Sequence, residues 1–185
     1  MRLASTLPLP RVVRWPTLHN MPMDALKSAL VGQYRATLAM LRQQIEVCPN
    51  DVWVGGTHPR NFWRIVYHAL FYAHLYAMQR EEDFVPWTQH REGATSLWDD
   101  DVPPPVVIEP YSQTELLSYL DHIYENIEPW VDRLDLTTPD PGFYWYKIPK
   151  LDHQILSIRH VNGHVGQLSE LLMAHEIDTD WVSKK

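Results

Sequence analysis

Four segments whose apolar residues recur at three- and four-residue steps constrain the fold of this chain more than any other feature. They run from about Pro22 to Val47, from about Pro59 to Gln79, from Ser112 towards Pro129, and from about Leu151 to His175. This period is typical of amphipathic helices, and no segment shows the alternation of a β-strand. The sequence therefore predicts an all-α fold, specifically a four-helix bundle with long crossover connections.

Two long connections separate the predicted helices. The first covers residues 80–111 and is rich in acidic residues, and the second covers residues 135–150 and contains the aromatic run from Phe143 to Tyr146. Connections of this length are uncommon in compact domains and often cover or line a site.

No repeat and no linker divides the chain, so residues 1–185 are predicted to form one domain. Residues 1–21 are expected to form an N-terminal tail or strap, and residues 176–185 a C-terminal tail. Pro8 and Pro10 interrupt the apolar run that a signal peptide needs, so we do not expect one.

Proline and capping residues predict where the helices begin. Thr57 or His58 can cap the second helix, with Pro59 in its first turn. Ser112 followed by Glu115 is a capping-box pattern at the start of the third helix. Pro129 is expected either to kink that helix or to end and restart it.

Charge and apolar content exclude two classes of partner. The net charge is −7 and no cluster of basic residues exists, which argues against nucleic-acid binding. No run of 18 apolar residues exists, so no membrane-spanning helix is expected.

The single cysteine, Cys48, cannot form an intramolecular disulfide, and this favours a reducing compartment, the cytoplasm. Cys48 itself is expected to be a small buried hydrophobe, with a thiol nucleophile as the alternative.

Three histidines form the candidate site. His160 and His164 lie four residues apart on a predicted helix, so their side chains project from one face about 6 Å apart. One such pair is weak evidence by itself. His68 lies in the most apolar predicted helix, and bundles build metal sites from side chains on facing helices. Three neutral imidazoles would leave a coordination position open, which is typical of a catalytic metal site.

The remaining histidines are weaker candidates. His153 lies on the same stripe as His160 but about 10 Å away along the helix axis. It can act behind the ligands, line a cleft, or be a solvated first-turn residue. His74 is expected to point away from His68. The other histidines are expected to be surface residues: His19, His58, His90, His122 and His175.

The segments IVYHALFYAH, which contains His68, and RHVNGHVGQL, which contains His160 and His164, resemble the DinB/YfiT-like superfamily of four-helix bundles. The resemblance covers roughly residues 22–175 in helix order. It implies a divalent metal ion, such as zinc, nickel or iron, bound by these three histidines. Some members of that family are transferases that use a low-molecular-weight thiol, others are assigned as metal-dependent hydrolases, and many have no known activity.

Each residue next to the three histidines has two possible roles, one functional and one structural. Gly166 can allow a close helix approach, and Gln167 can orient a ligand from behind, unless both serve helix packing alone. Arg64 can bind an anionic substrate group or pair with an acidic residue at the surface. Tyr72 can donate to an oxyanion or be a core tyrosine.

Three functions remain open from the sequence. The chain can be an enzyme that activates a water or a thiol to act on a small-molecule substrate, by thiol transfer or by hydrolysis. It can be a non-catalytic metal- or ligand-binding bundle, such as a stress or sensor protein. It can also be a metal-free bundle whose histidines hydrogen-bond within the core. Homodimerisation is a further hypothesis, because tryptophan-rich helices often leave an apolar face to cover.

Overall fold

The computed structural model describes residues 22–98 and 106–184, and these residues form five α-helices and no β-strand. The all-α fold class is therefore confirmed. A short 3₁₀ turn, Glu81–Asp83, follows the third helix. The α-helices are α1 (Met23–Val47), α2 (Asn50–Val54), α3 (Phe62–Tyr76), α4 (Gln113–Arg133) and α5 (Lys150–Met173).

The four long helices share one core. Helix α1 packs mainly against α4 and α5, and α3 packs mainly against the same two helices. Helix α3 is apolar on nearly every face, as the sequence predicted, and all but three of its residues are buried. None of the helices in the described part of the chain is both long and apolar enough to cross a bilayer.

The helix boundaries agree with the sequence at α1 and α4. The Ser112 side chain accepts a hydrogen bond of 3.2 Å from the Glu115 backbone, and the Glu115 carboxylate accepts one of 2.7 Å from the Ser112 backbone. The capping-box prediction is confirmed. Helix α4 continues through Pro129 as far as Arg133, so this proline neither ends nor restarts it.

The start of α3 differs from the prediction. The helix begins at Phe62 with Asn61 as its N-cap residue, so neither Thr57 nor His58 caps it. The Asn61 side chain donates to the carbonyl oxygens of Val54 and Gly55, each at 3.2 Å, and ties the helix start to the end of α2. Helix α2 itself was not predicted.

The connections and the C-terminal tail are packed against the helices. Trp87, Leu97 and Tyr111 of the connection after α3 are buried in the main core. The carbonyl oxygens of Asp180 and Ser183 accept hydrogen bonds from side chains of α1, so the C-terminal tail lies along this helix. The predicted N-terminal tail, residues 1–21, lies outside the described residues.

Candidate metal centre

Three histidine side chains from α3 and α5 converge at one point. The Nε2 atom of His160 lies 3.2 Å from that of His68 and 3.1 Å from that of His164. The candidate ligand atoms of all three residues lie within 4.8 Å of one another. His160 and His164 are one turn apart on α5, and the packing of α3 against α5 supplies His68. The structure thus brings together the three histidines that the sequence singled out.

The outer nitrogens of two of these imidazoles are held by acceptors. Nδ1 of His68 donates a hydrogen bond of 2.6 Å to the backbone carbonyl oxygen of Thr95. Nδ1 of His164 donates one of 3.1 Å to Oε1 of Gln167. A neutral imidazole carries one N–H, so both of these residues present an unprotonated Nε2 to the centre. The predicted contact between Gln167 and His164 is present.

A single metal ion shared by the three histidines would fit the arrangement of their Nε2 atoms. The unprotonated Nε2 atoms of His68 and His164 both face Nε2 of His160, which carries at most one hydrogen, so at least one of the close N–N pairs opposes two lone pairs. Nδ1 of His160 is buried and has no hydrogen-bond partner among the described residues. With the His160 proton on Nδ1, all three imidazoles would offer a lone pair to the centre, which is a preferred donor set for zinc, nickel and iron.

All three histidines are uncharged at neutral pH. Burial lowers the pKa of His68 to about 3; its hydrogen bond to Thr95 opposes this shift, and the two neighbouring imidazoles add to it. Burial also lowers the pKa of His160 to about 4, with a further contribution from His164. The pKa of His164 is lowered by burial as well. Neutral imidazole is the form that binds a cation, so no proton has to leave at pH 7.

Tyr72 is an aromatic neighbour of two of the three histidines. All three histidines are only partly buried. The ring of Tyr72, itself partly exposed, lies against His68 at a centroid distance of 4.7 Å and against His160 at 5.5 Å. Tyr72 therefore lies beside the three histidines and also reaches solvent.

Arg64 does not lie at the surface. Its side chain is fully buried, and the prediction that it pairs with a surface acid is wrong for the described residues. Nη2 donates to the carbonyl oxygens of Val106 at 2.6 Å and Gly93 at 3.3 Å. Nε and Nη1 have no hydrogen-bond partner among the described residues. Arg64 thus joins two parts of the connection that also supplies Thr95.

His153 differs from its expected position. It is fully buried and not a solvated first-turn residue, because the aromatic loop between α4 and α5 folds over it. Its ring contacts Tyr76 and Phe143 at centroid distances of 4.7 Å and Tyr146 at 5.2 Å. Neither nitrogen has a hydrogen-bond partner in the described part of the chain, so His153 makes no hydrogen bond to the three histidines.

Gly166 and Cys48 were each expected to have a particular role. Gly166 is exposed, and an added Cβ would meet no atom of the described residues within 4 Å, so the idea that it permits a close approach of another described helix is wrong. Cys48 is buried at the end of α1, and burial together with Asp51 raises the pKa of its thiol to about 12. A protonated, buried thiol agrees with a packing role and not with a nucleophile.

A separate cleft of about 750 Å³ lies between α3, α4 and the segment that follows α3. We call it the α3–α4 cleft. None of the three converging histidines lines it, whereas His74 does, on another face of α3. The lining includes His74, Met78, Trp87, His122, Trp130 and Arg133.

Sequence reasoning missed the role of Thr95 and did not anticipate this cleft. Thr95 contributes its backbone carbonyl, which any residue can supply, so its side chain gives no signal in the sequence. No protein-family model, curated protein or solved structure matches this chain.

Proposed function

We propose that this protein binds one divalent metal ion through His68, His160 and His164 and acts as a metal-dependent enzyme on a small-molecule substrate. The observation that carries the proposal is the convergence of three Nε2 atoms, two of which are fixed as acceptors by Thr95 and Gln167. A bound divalent cation would act as a Lewis acid. It would lower the pKa of a bound water or thiol towards neutral pH, and so produce a nucleophile.

Residues around the centre would position the ligands and the substrate. The Thr95 carbonyl and Gln167 hold the imidazoles of His68 and His164 in the orientation that directs Nε2 inward. Tyr72 packs against His68 and His160, and its hydroxyl would donate to an oxyanion that develops on the substrate. The reaction would be a thiol transfer, with a low-molecular-weight thiol as co-substrate, or a hydrolysis.

The fold and the motifs support a family assignment as part of the same proposal. The mutual packing of α1, α3, α4 and α5 agrees with a four-helix bundle with long crossovers, and the bundle would be of the DinB/YfiT-like type.

The free, buried Cys48 agrees with a cytoplasmic location. Exposed Ile155 and Trp181 would give a homodimer an apolar surface, and sedimentation would test this state.

A non-catalytic role is the alternative, and one observation favours it. The α3–α4 cleft lies apart from the three histidines, as it would in a protein that senses a ligand at one site and holds a metal at another. Activity that needs both the metal and Tyr72 would support the enzyme. Stoichiometric metal binding without turnover of thiol-transfer or hydrolase substrates would support the alternative.

Elemental analysis of protein purified without a histidine tag tests the metal centre. We expect about one equivalent of a divalent metal in the parent and little in His164→Ala. His175→Ala is the matched control, because His175 is exposed and lies outside the converging group. No metal in the parent after divalent ions are offered, or full occupancy in His164→Ala, would contradict the proposal.

A further inference from the structure

The α3–α4 cleft has the dimensions of a small-molecule site. Its volume of about 750 Å³ lies within the range of pockets that enclose drug-sized ligands. His74 at the end of α3 and residues 77–79 after it form one wall, and helix α4 forms the second. Asp83 and residues 85–88 complete the lining. The cleft needs no metal, so what it binds is independent of the proposed function of the three histidines.

Two aromatic stacks give the cleft a fixed wall. The Trp130 indole stacks on the His74 ring, with centroids 4.6 Å apart and planes inclined by 12°. Trp87 stacks on Tyr119 at 4.6 Å and 7°. Nδ1 of His74 and the Tyr119 hydroxyl share a hydrogen bond of 3.1 Å, which joins the stacks. Both tryptophans that line the cleft are therefore held in one orientation before a ligand arrives, and this lowers the entropy cost of binding.

Helix α4 contributes a single stripe of residues to the cleft. The stripe residues follow one another at four-, four-, four- and three-residue steps, so they lie on one face of the helix. They combine one aromatic ring with groups that can hydrogen-bond or carry charge. They are Ser118, His122, Asn126, Trp130 and Arg133.

The charges of the lining favour an anion near Arg133. Burial lowers the pKa of His74 to about 4, and His122 adds to the shift, so the imidazole is neutral at pH 7. Among the described residues of the lining, Asp83 is the acidic one, and its carboxylate lies 3.8 Å from Arg80. Arg133 has no ion pair with any described residue. A ligand carboxylate can therefore approach Arg133 without displacing an acidic side chain of the described residues.

We propose that the α3–α4 cleft binds a small planar aromatic anion, with its ring against the Trp130 and Trp87 wall and its carboxylate at Arg133. The ring would contact faces that are already oriented, and the guanidinium would select an anion over a neutral molecule of the same shape.

Calorimetric titration with 2-naphthoate and with 2-naphthamide tests the proposal, because these probes differ in charge and hardly in shape. We expect saturable binding of 2-naphthoate at one site per chain. Arg133→Gln should weaken 2-naphthoate about tenfold, the usual loss for one hydrogen bond to a charged group, and should change 2-naphthamide by less than about twofold. Equal effects on the two probes, or no saturable binding to the parent, would overturn the proposal.

A second variant keeps the test independent of Arg133. Ser118 is exposed on the cleft stripe, so Ser118→Phe would obstruct the cleft without opening the core, and both probes should lose binding. Ile155→Ser alters a different groove, between α1 and α5, and should leave binding unchanged. His164→Ala should also leave it unchanged. Intact binding in Ser118→Phe, or its loss in Ile155→Ser, would mean that the probes bind elsewhere, and would overturn the proposal.

Discussion

The imidazole of His68 donates a 2.6 Å hydrogen bond to the backbone carbonyl oxygen of Thr95, which lies 27 positions further along the chain. This bond sets the tautomer of His68 and directs its Nε2 atom towards His160. The connection after α3 therefore helps to build the candidate metal centre, although the three imidazoles themselves belong to α3 and α5.

Gln167 should affect metal affinity more than stability. Its side chain is exposed and accepts from Nδ1 of His164, so Gln167→Ala should weaken metal binding about 10- to 100-fold and change the free energy of unfolding little. Gln167→Glu keeps an acceptor and should retain affinity. Chelator competition measures the affinity, with Asn162→Ala, another exposed α5 residue, as the control. Equal affinities in the parent and Gln167→Ala would contradict this role.

Arg64 should act on the metal centre through the connection. Arg64→Met removes the hydrogen bonds to the Gly93 and Val106 carbonyls, so the segment that carries Thr95 should loosen and metal affinity should fall about tenfold. Arg64→Lys can restore one donor and should lose less affinity. Hydrogen exchange at the amides near Thr95 reports the loosening directly. Arg80→Met is the exposed control, and unchanged exchange in Arg64→Met would refute the prediction.

The stability of the metal-free protein should fall in mild acid. Burial, with a contribution from Lys150, lowers the pKa of His153 from 6.5 to about 4. Between these values the unfolded chain binds a proton that the folded protein does not, so the free energy of unfolding decreases as the pH falls. The loss for such a histidine is on the order of 2 kcal/mol at pH 5.

His153→Phe isolates this effect. Both nitrogens of His153 are buried without hydrogen bonds, so the variant should be at least as stable as the parent at pH 7.5. It should lose less stability than the parent between pH 7.5 and pH 5. Urea unfolding at both pH values gives the comparison, and an equal loss in the two proteins would show that His153 does not titrate as expected.

Metal removal should lower the melting temperature. A ligand present at 100 times its dissociation constant stabilises the folded state by about 2.7 kcal/mol, which corresponds to roughly 5 to 10 °C for a chain of this size. A chelator should therefore lower the melting temperature of the parent and leave that of His164→Ala unchanged. A shift of the same size in both proteins would assign the stabilisation to another site.

The periodicity of apolar residues predicted most of the helices, and it also indicated that three particular histidines would come together. The positions of His160 and His164 relative to each other follow from the geometry of one helix, and the apolar surroundings of His68 placed it in the core. Contacts that depend on the path of a connection could not be predicted in this way. The burial of Arg64 depends on where Gly93 and Val106 lie, and the burial of His153 depends on how the loop with Phe143 folds back.

The start of α3 also depends on a contact with another segment, which the sequence did not reveal. Pro59 fits a first helical turn by its own geometry, so the sequence favoured it. Asn61 occupies the N-cap position without a capping hydrogen bond from its side chain, which donates instead to the carbonyl oxygens at the end of α2. That contact requires a short helix that has too few residues for a periodic pattern.

The 3.2 Å between the Nε2 atoms of His68 and His160 spans 92 positions of the sequence. A cation held by both imidazoles would act as a removable cross-link that closes a loop of this length. The entropy cost of loop closure grows only with the logarithm of the loop length. Insertions or deletions of several residues in the connection between α3 and α4 would therefore change the cost of assembling the centre very little, provided that the contact between His68 and Thr95 is kept.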